Sequence, residues 1–352
     1  MIKSYQEQYS EILRKLINEP QKIVESRVGK VRSRFVEQIR VDVRKEFPLM
    51  ELKKIKFSNI LHELLWFVRG ESNIKYLRDN QCLIWDGDAY RYYQEKYSNY
   101  SKNKLTKEEF LEKVMNEDTM YYPDTNVDHP YDKYSIYRFG DLDRIYGFQW
   151  RRFNGKTDQL GDCINKLNLS PDDRRMIVSA HNPTDLKNNQ VGLPSCHNYF
   201  QFYSEPIELS QRYIICIDKL GIISTKEEDL DAFNVPKRYL SIFVNIRSND
   251  WFLGQPYNMA SYTVLLKMIA QLTNMIPKEV VINAVDAHLY EEHLEPALKF
   301  LKRYEEVEGM NTFCKSKLFI DTEVLDIDDF EEKHFKLKNY TPQSYIKAKL
   351  LT

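Results

Sequence analysis

The sequence predicts an α+β fold, and two observations support this prediction. Segments with helical and with strand-like apolar spacing follow one another irregularly, without the repeated strand–helix–strand units of a doubly wound sheet. Apolar residues make up 42% of the 352 residues and aromatic residues 13%, which is enough for a sizeable core. This length fits one large domain or two ordinary ones.

Three segments have helical apolar spacing. Residues 5–18 carry apolar side chains at the intervals of an amphipathic helix. Residues 58–70 are apolar around most of the helix circumference, which predicts a buried helix with a cap at Ser58 and an end at Gly70. Residues 261–274 predict a long core helix.

Five segments have strand-like patterns. Residues 26–45 alternate in part between apolar and polar side chains. Four shorter apolar runs also have the length and composition of strands: 176–180, 199–203, 240–246 and 280–290. The last of these runs leads into a polar cluster.

Two stretches differ in composition from the rest of the chain. Residues 91–140 are rich in Tyr, Lys, Asn, Glu and Asp and poor in aliphatic residues, and residues 204–239 contain the charged run KEEDLD. We interpret both as surface insertions, the first with a helix near residues 106–116.

The charge and hydropathy of the chain argue against several classes of protein. Lys and Arg total 51 and Asp and Glu 52, a net charge of −1 that disfavours broad attraction to nucleic acid or to membranes. It leaves room for a local basic pocket that binds one phosphate. A mean hydropathy of −0.57 and the absence of an apolar run of about 18 residues argue against a membrane span. The N-terminus also lacks the apolar core of a signal peptide.

The cysteines indicate a reducing compartment. Five cysteines are spread along the chain and none forms a CxxC pair, so we expect neither a disulfide framework nor a zinc site. We therefore expect a cytoplasmic protein.

Cys196 is the first candidate for chemistry. It lies two residues after Pro194, precedes a strand and is beside His197, so a neighbouring cation could favour a nucleophilic thiolate. The ordinary alternative is a buried structural thiol.

Paired arginines provide a second candidate. Arg174 and Arg175, just before the strand at 176–180, suit a dianionic phosphate because each guanidinium offers a planar fork of donors. The alternative is a solvated charged turn.

Residues 245–262 hold a third group of candidates. Arg247 and Ser248 could bind phosphate oxygens, and Asp250 is a carboxylate between two apolar segments. Asn258 lies in a predicted Pro-Tyr-Asn turn, and its amide offers the donor and the acceptor that match uracil O4 and N3–H. The alternative for Asn258 is an ordinary turn or N-cap residue.

The segment 286–293 offers hydrogen-bonding groups. His288 and Tyr290 are two residues apart, so on a strand both face the same side and could bind a sugar hydroxyl. A metal site is the rival interpretation, but the gap between His288 and His293 is not the i, i+4 pair of a zinc-binding helix.

Glu63 is the fifth candidate. A buried carboxyl group has a raised pKa and can relay protons. The helical phase of residues 58–70 does not decide whether Glu63 is buried or exposed.

Together and in this order, these segments resemble the thymidylate synthase family. The resemblance spans most of the chain apart from the two insertions and the extreme N-terminus. The matching stretches are FPLMELKKIKF (47–57), HELLWFVRGESNIKYL (62–77), IWD (84–86), YGFQWRRF (146–153), DDRRMIVSAHNPTDL (172–186), LPSCHNYFQFY (193–203), RSNDWFLGQPYNMASY (247–262) and DAHLYEEHLEP (286–296).

The resemblance implies a single α+β catalytic domain over residues 1–352, built around a large mixed sheet flanked by helices. It also implies a homodimer that packs sheet against sheet. The implied substrates are dUMP, or a related deoxypyrimidine monophosphate, and 5,10-methylenetetrahydrofolate as cosubstrate, with no metal.

The resemblance also implies roles for the chemical residues. Cys196 matches the nucleophile, Glu63 the catalytic glutamate, and Tyr146 a tyrosine of the proton-transfer network. Asn258 matches the residue that reads uracil. Asp250 matches a residue that lines the folate and pyrimidine cavity and takes part in catalysis.

The implied binding residues fall into three sets. The phosphate ligands are Arg27 in a mobile loop, Arg247 and Ser248 in the same subunit, and Arg174 and Arg175 from the partner subunit. The sugar 3′-hydroxyl contacts are His288 and Tyr290. The folate and pyrimidine cavity is lined by Trp85, Asp250, Leu253, Gly254 and Tyr257.

The implied mechanism uses Cys196 to activate the base. Addition of the thiolate at C6 makes C5 nucleophilic, and Asn258 with ordered water stabilises charge on O4. C5 then attacks the one-carbon unit of the folate. Removal of the C5 proton and departure of tetrahydrofolate leave an exocyclic methylene. Hydride reduces that methylene to a methyl group, whereas water gives a hydroxymethyl group.

Several departures from the usual synthase pattern keep a hydroxymethylase as the alternative. The departures are Asp88 for a tryptophan, His181 for a tryptophan, Ser195 for proline or alanine, Ile246 for glutamine, the hydroxymethylase-like VNIRSND, and a tail ending in KLLT. A polar lid would admit water to the methylene intermediate. Asn258 favours a uridylate over a cytidylate in either case.

A non-catalytic homologue that binds nucleotide or RNA is the interpretation from another class. Interleaved basic and aromatic residues in 91–153 are its best support. The presence of Cys196, Glu63, Asn258 and the arginines favours an enzyme.

Overall fold

The computed structural model describes residues 3–26, 28–100, 104–123, 134–223 and 226–351. Within them the helices are α1 Tyr5–Asn18, α2 Phe57–Val68, α3 Lys75–Asp79, α4 Asp86–Lys96, α5 Lys107–Met115, α6 Tyr146–Arg152, α7 Gln159–Leu169, α8 Pro183–Lys187, α9 Leu209–Leu220, α10 Glu227–Ala232, α11 Gly254–Leu272 and α12 Leu294–Glu305. The strands are β1 Lys22–Ser26, β2 Gly29–Asp42, β3 Thr119–Pro123, β4 Tyr134–Arg138, β5 Ile177–Ser179, β6 His197–Pro206, β7 Arg238–Ile246, β8 Asn249–Asp250, β9 Ile276–Tyr290, β10 Lys317–Ile320 and β11 Phe335–Lys338.

The chain forms two compact units, which we call the sheet unit and the helical unit. The sheet unit comprises residues 1–55, 160–178 and 196–351, and the helical unit comprises residues 56–159 and 179–195. The prediction of a single catalytic domain over residues 1–352 stays a prediction, because packing inside each unit does not test it.

A mixed sheet dominates the sheet unit. Among the described residues its strand order is β1-β2-β9-β7-β6-β5, with β8 pairing β9. β7 runs parallel to β9, whereas β2 is antiparallel to β9 and β6 is antiparallel to β7. The predicted α+β fold with a mixed sheet is confirmed.

One face of this sheet carries the core. Leu240, Ile242, Val244 and Ile246 alternate along β7 as fully buried residues, and α11 packs on β7 and β9. The amphipathic α1 packs on β2, with the bounds that the sequence predicted.

The other face of the sheet is more open. In β6 the buried side chains alternate with half-buried and exposed ones, and Tyr203 is 62% exposed. Phe35 in β2 is 72% exposed, and Ile177 in β5 is also exposed. Exposed apolar side chains on β2, β5 and β6 are typical of a protein–protein interface.

Helices α2 and α6 form the centre of the helical unit. They approach closely at Gly147, where a Cβ atom would lie 2.8 Å from the Glu71 carbonyl oxygen and 2.9 Å from that of Phe67. Only glycine fits such an approach without displacing backbone. It brings the ring of Tyr146 to 4.8 Å from that of Phe67.

The two predicted insertions contain ordered elements. Residues 91–140 include α5, as predicted near 106–116, and a packed aromatic cluster that contains Tyr93, Tyr97, Phe110, Tyr137 and Phe139. Residues 204–239 include α9 and α10, which enclose Cys216, Leu230 and Val235. Their status as insertions stays a prediction.

Two details of the predicted helices are wrong. Helix α2 begins at Phe57, so Ser58 is inside the helix and does not cap it. Helix α11 begins at Gly254, seven residues before the predicted start, because Pro256 lies in the first turn, where its missing N–H costs no hydrogen bond. Within the described residues, no helix is both long and apolar enough to cross a membrane.

Candidate active site

The sheet topology brings the predicted polar residues of the sheet unit to one edge. β7 and β9 are parallel and therefore end at the same edge, where the antiparallel β6 begins. Cys196 immediately precedes β6, and Arg247 follows β7. His288 and Tyr290 are among the last three residues of β9. Strand β8 adds Asp250 opposite His288.

Cys196 differs from the other four cysteines. It is half-buried, whereas Cys82, Cys163, Cys216 and Cys314 are buried. Burial raises the pKa of Cys82 to about 12, which keeps that thiol protonated and unreactive. Accessibility thus favours Cys196 as the reactive cysteine over a structural interpretation.

Arg247 is the cation next to this sulfur. Its backbone N–H donates to the Cys196 carbonyl oxygen at 2.8 Å, and its Nη2 lies 3.8 Å from Sγ. A guanidinium at this distance stabilises a thiolate. The exposed Arg247 side chain and the half-buried Ser248 also suit an anionic ligand at the sheet edge.

His197 is not the cation that the sequence suggested. Burial lowers its pKa to about 4, against a smaller opposing effect of a hydrogen bond with Asn258, so the ring is neutral at pH 7. Its Nδ1 lies 3.1 Å from the Tyr262 hydroxyl. His197 is therefore a hydrogen-bonding group between Tyr262 and Asn258.

Asn258 lies in the first turns of α11, not in a turn before a helix. It is four residues from Tyr262, so both side chains are on the same helix face. The Asn258 Nδ2 donates to Asn249 Oδ1 at 3.3 Å. Sequence reasoning missed Asn249 and Tyr262, since neither carries a pattern that distinguishes it from a core residue.

Asp250 organises the start of α11. Its Oδ1 accepts the backbone N–H groups of Phe252 at 2.9 Å and Leu253 at 3.2 Å. This arrangement sets the path of the chain into Gly254, where a Cβ atom would lie 3.7 Å from Asn249 Oδ1 and 3.9 Å from Asn258 Nδ2. Tyr257 follows in the first turn as a half-buried side chain.

A buried lysine lies beside this loop and was not predicted. The Lys53 ammonium donates to the Phe252 carbonyl oxygen and lies 3.6 Å from the centre of the Phe252 ring. Burial lowers the pKa of Lys53 to about 7, partly offset by the charge of Asp250. The segment FPLMELKKIKF contains three lysines, and nothing in the sequence distinguishes Lys53 as the buried one.

His288 and Tyr290 share one side of β9, as predicted. Their rings are perpendicular with centres 5.2 Å apart. His288 Nδ1 lies 3.5 Å from Asp286 Oδ1, which also contacts Ser33 Oγ at 2.7 Å. Partial burial alone would raise the pKa of Asp286, but the hydrogen bonds from His288, Lys22 and Ser33 outweigh it and lower that pKa.

His293 is a buried hydrogen-bonding residue. It is fully buried, and its Nε2 lies 2.8 Å from the Lys349 carbonyl oxygen. The described residues contain no group of three or more His, Cys, Asp or Glu side chains that could hold a metal ion.

The paired arginines are exposed at the start of β5. Asp173 binds Arg175 through two hydrogen bonds of 3.0 and 2.9 Å, yet the Arg175 side chain stays 85% exposed. Arg174 is also exposed. Arg27, the fifth predicted phosphate ligand, lies outside the described residues.

Glu63, Trp85 and Tyr146 meet within the helical unit. Glu63 is the only residue from Ile60 to Val68 that is not fully buried, and its Oε1 accepts the Trp85 indole N–H at 2.7 Å. The Trp85 and Tyr146 rings meet edge to face, with centres 6.1 Å apart. Trp85 thus contacts both predicted proton-transfer residues.

The pKa of Glu63 lies near neutral pH. Burial raises its pKa to about 7, although the Trp85 hydrogen bond acts in the opposite direction. A carboxyl group that titrates near the working pH suits general acid–base catalysis. The helical phase did not decide whether Glu63 is buried, and in the structure its side chain is half-buried.

The residues that depart from the usual family pattern have structural partners. Asp88 pairs with Arg91 one turn further along α4, and Ser195 Oγ donates to the Ala180 carbonyl oxygen at 3.0 Å. Ile246 is fully buried in β7. Asp88, Ser195 and Ile246 thus each have an ion pair, a hydrogen bond or a packing role within their own unit.

Comparisons with known proteins identify the family of the chain. The sequence model described as thymidylate synthase matches residues 7–352. A thymidylate synthase of Mycoplasma mobile is 33% identical over 344 residues, covering 98% of this chain and 99% of the relative. One of Phytoplasma mali is 33% identical over 97% of this chain and 98% of the relative, and one of Malacoplasma penetrans is 34% identical over 90% and 89%. The chain belongs to the thymidylate synthase family.

Proposed function

We propose that this enzyme transfers the one-carbon unit of 5,10-methylenetetrahydrofolate to C5 of dUMP and reduces it, giving dTMP and dihydrofolate. The observation that carries this proposal is the accessible Cys196 beside Arg247, at the sheet edge that also holds Asn258. The names of the related proteins support methylation over hydroxymethylation.

Cys196 begins the reaction in this proposal. Its thiolate forms a bond to C6, and the C5=C6 electrons move toward O4 and make C5 nucleophilic. Asn258 donates to O4 and accepts from N3–H, so its amide stabilises the enolate. In the last step the C5=C6 bond re-forms and the Cys196 thiolate leaves.

Glu63 and Tyr146 handle the proton on C5. A Glu63 carboxylate with a pKa of about 7 accepts it through water, and Tyr146 helps to hold that water. The folate, as a substrate, supplies both the methylene carbon and the hydride that reduces it.

The remaining candidate residues provide the contacts to the folate and to the nucleotide. Oδ1 of Asp250 takes two backbone N–H groups, and Oδ2 makes no hydrogen bond within the described residues, so it suits an N–H edge of the pterin. Trp85, Leu253, Gly254 and Tyr257 provide the apolar walls, and His288 and Tyr290 bind the sugar 3′-hydroxyl. Arg27, Arg247 and Ser248 bind the phosphate.

The product distinguishes the proposal from its alternative. Incubation with dUMP and methylenetetrahydrofolate should yield a nucleotide heavier by CH₂, together with the absorbance of dihydrofolate. A nucleotide heavier by CH₂O without dihydrofolate would instead identify a hydroxymethylase, and turnover of dCMP alone would contradict the role of Asn258.

We further propose that residues 1–352 form one catalytic domain, since a single family match spans residues 7–352, and that the enzyme is a cytoplasmic homodimer. The exposed sheet face around Phe35, Ile177 and Tyr203 supports pairing of sheets. The exposed Arg174 and Arg175 fit donation to the partner's phosphate site.

Mixing two inactive variants tests this donation. We expect Cys196→Ser and Arg175→Ala each to be strongly impaired, and a 1:1 mixture after subunit exchange to recover about a quarter of wild-type activity. Half of the dimers are then mixed, and one of their two sites has both Cys196 and a partner's arginine.

Purification of mixed dimers through an affinity tag carried by only one of the two variants shows whether the subunits have exchanged. If Arg175 acted on its own subunit's site, mixed dimers would contain no complete site and activity would not recover.

A further inference from the structure

Four polar side chains at the sheet edge form one continuous chain of hydrogen bonds. The Tyr262 hydroxyl contacts His197 Nδ1 at 3.1 Å, His197 bonds Asn258, and Asn258 Nδ2 donates to Asn249 Oδ1 at 3.3 Å. All four residues lie in the sheet unit, on β6, β8 and α11. Their order makes Asn249 the terminal member of the chain.

The chain has a direction. A neutral imidazole carries one N–H, so a His197 ring that accepts from Tyr262 at Nδ1 donates to the Asn258 amide oxygen. The Asn258 N–H then points to Asn249 Oδ1, which assigns the two ends of the Asn249 amide. Each donor therefore faces the next acceptor along this series of hydrogen bonds. The Asn249 NH₂ group is the donor at its end.

That last donor is buried and unused. Asn249 is 1% exposed, and its Nδ2 has no hydrogen-bond partner among the residues that the structure describes. A buried donor without an acceptor costs free energy, and an apolar residue of similar size would remove that cost. The amide therefore needs an explanation beyond packing.

Gly254 keeps the space next to this amide pair open. A Cβ atom there would lie 3.7 Å from Asn249 Oδ1 and 3.9 Å from Asn258 Nδ2. A side chain at this position would pack against both amides, whereas glycine leaves that volume free. A ligand that reaches the Asn258 amide thus comes close to Asn249 as well.

We propose that Asn249 is a second base-reading residue, whose Nδ2 donates to the O4 edge of the uracil base, directly or through one ordered water. This inference rests on the proposed function and adds a specificity determinant to it. Uracil O4 accepts a hydrogen bond and completes the chain that begins at Tyr262. Cytosine presents an amino group at the same position, so the Asn249 N–H stays unpaired and dCMP is rejected.

Two substitutions of nearly equal size test the inference. We expect Asn249→Ala to lower the ratio of the dCMP and dUMP dissociation constants about fivefold, since one hydrogen bond to O4 is lost. Asn249→Ser keeps a hydroxyl donor that reaches O4 through water. Its ratio of dCMP and dUMP dissociation constants should therefore lie between those of the wild type and Asn249→Ala. Calorimetry with both nucleotides gives the ratio for each protein.

The control is Asn234→Gly. It removes another amide pair of the sheet unit, in which Asn274 Nδ2 donates to Asn234 Oδ1 at 2.8 Å, and glycine tolerates the φ of +52° there. Its dCMP-to-dUMP ratio should equal that of the wild type. Thermal unfolding of all the variants shows whether each is folded under the binding conditions.

The outcomes separate this inference from the proposed function. Equal ratios in wild type, Asn249→Ala and Asn249→Ser would overturn the role of Asn249, even if the wild type converts dUMP to dTMP. A purely structural role would lower thermal stability in both variants and leave the ratio unchanged. A wild type that does not convert dUMP overturns the proposed function itself.

Discussion

Cys196→Ser should lower turnover of dUMP by at least about 10³-fold, which is the largest effect that we expect from one substitution. A thiol at pH 7 provides a few per cent of a strongly nucleophilic thiolate, whereas a serine hydroxyl provides almost no alkoxide. Arg247, 3.8 Å from the sulfur, stabilises a thiolate but cannot offset the far weaker acidity of a hydroxyl. Steady-state rates of dihydrofolate formation measure the loss.

Binding of dUMP should survive this substitution. Arg247, Ser248 and Asn258 keep their positions, because the backbone hydrogen bond from Arg247 to residue 196 does not involve the sulfur. Calorimetry should therefore show a dissociation constant for dUMP within a few-fold of the wild type. Loss of turnover with retained binding would assign Cys196 to the chemical step.

Cys163→Ser is the matched control. Cys163 is buried in the sheet unit, and its sulfur lies 3.9 Å from the Ile177 carbonyl oxygen, to which a hydroxyl can also donate. Its turnover should stay close to that of the wild type. Near-normal turnover in Cys196→Ser, or equal losses in the two variants, would contradict nucleophilic catalysis by Cys196.

Cysteine alkylation gives an independent measure. Cys196 is the one half-buried cysteine among five, so iodoacetamide should modify it first, and dUMP should protect it. Peptide mass spectrometry identifies the labelled residue without any substitution.

The fold was predictable where a local pattern matched tertiary burial. The apolar spacing of residues 5–18 gave the helix Tyr5–Asn18, because its buried stripe packs on β2. The start of α11 was not predictable in the same way. Gly254 and Pro256 together signal a turn, and only the hydrogen bonds from Asp250 show that the chain enters a helix there.

The sequence indicated candidate chemical residues but not their electrostatic state. The Cys196–His197 dipeptide suggested a thiol beside a cation, yet a pKa of about 4 makes His197 neutral. Adjacent strand residues point to opposite sides, so neighbours in sequence need not interact through their side chains. Arg247 lies 51 positions away and becomes the neighbour of Cys196 through the pairing of β6 and β7.

Glu63→Gln should lower kcat by about 10²- to 10⁴-fold, the usual range for loss of a general base. Glutamine keeps the shape and can still accept the Trp85 indole N–H, but it cannot take up a proton. Since the pKa of Glu63 is about 7, wild-type activity should fall as the pH drops below 7 and the carboxylate is protonated. The pH profile of the variant should lack this limb.

The same substitution should stabilise the protein at alkaline pH. The pKa of Glu63 is about 7 when folded and near 4.5 when unfolded, so between these values the folded state binds more protons. Wild-type stability therefore decreases as the pH rises from 4.5 to 7, because an ionised carboxylate is costly in this site. Urea unfolding should show Glu63→Gln more stable than wild type by about 1–3 kcal/mol at pH 8, allowing for partial exposure, with no advantage at pH 4.

Glu71→Gln separates desolvation from catalysis. Burial also raises the pKa of Glu71, which lies in the helical unit but outside the proposed site. As the pH rises, Glu71→Gln should become more stable than the wild type, as we expect for Glu63→Gln. Its kcat should stay near that of the wild type. If Glu63→Gln also kept its kcat, Glu63 would be only a buried carboxyl group, and proton transfer would have to be assigned to another residue.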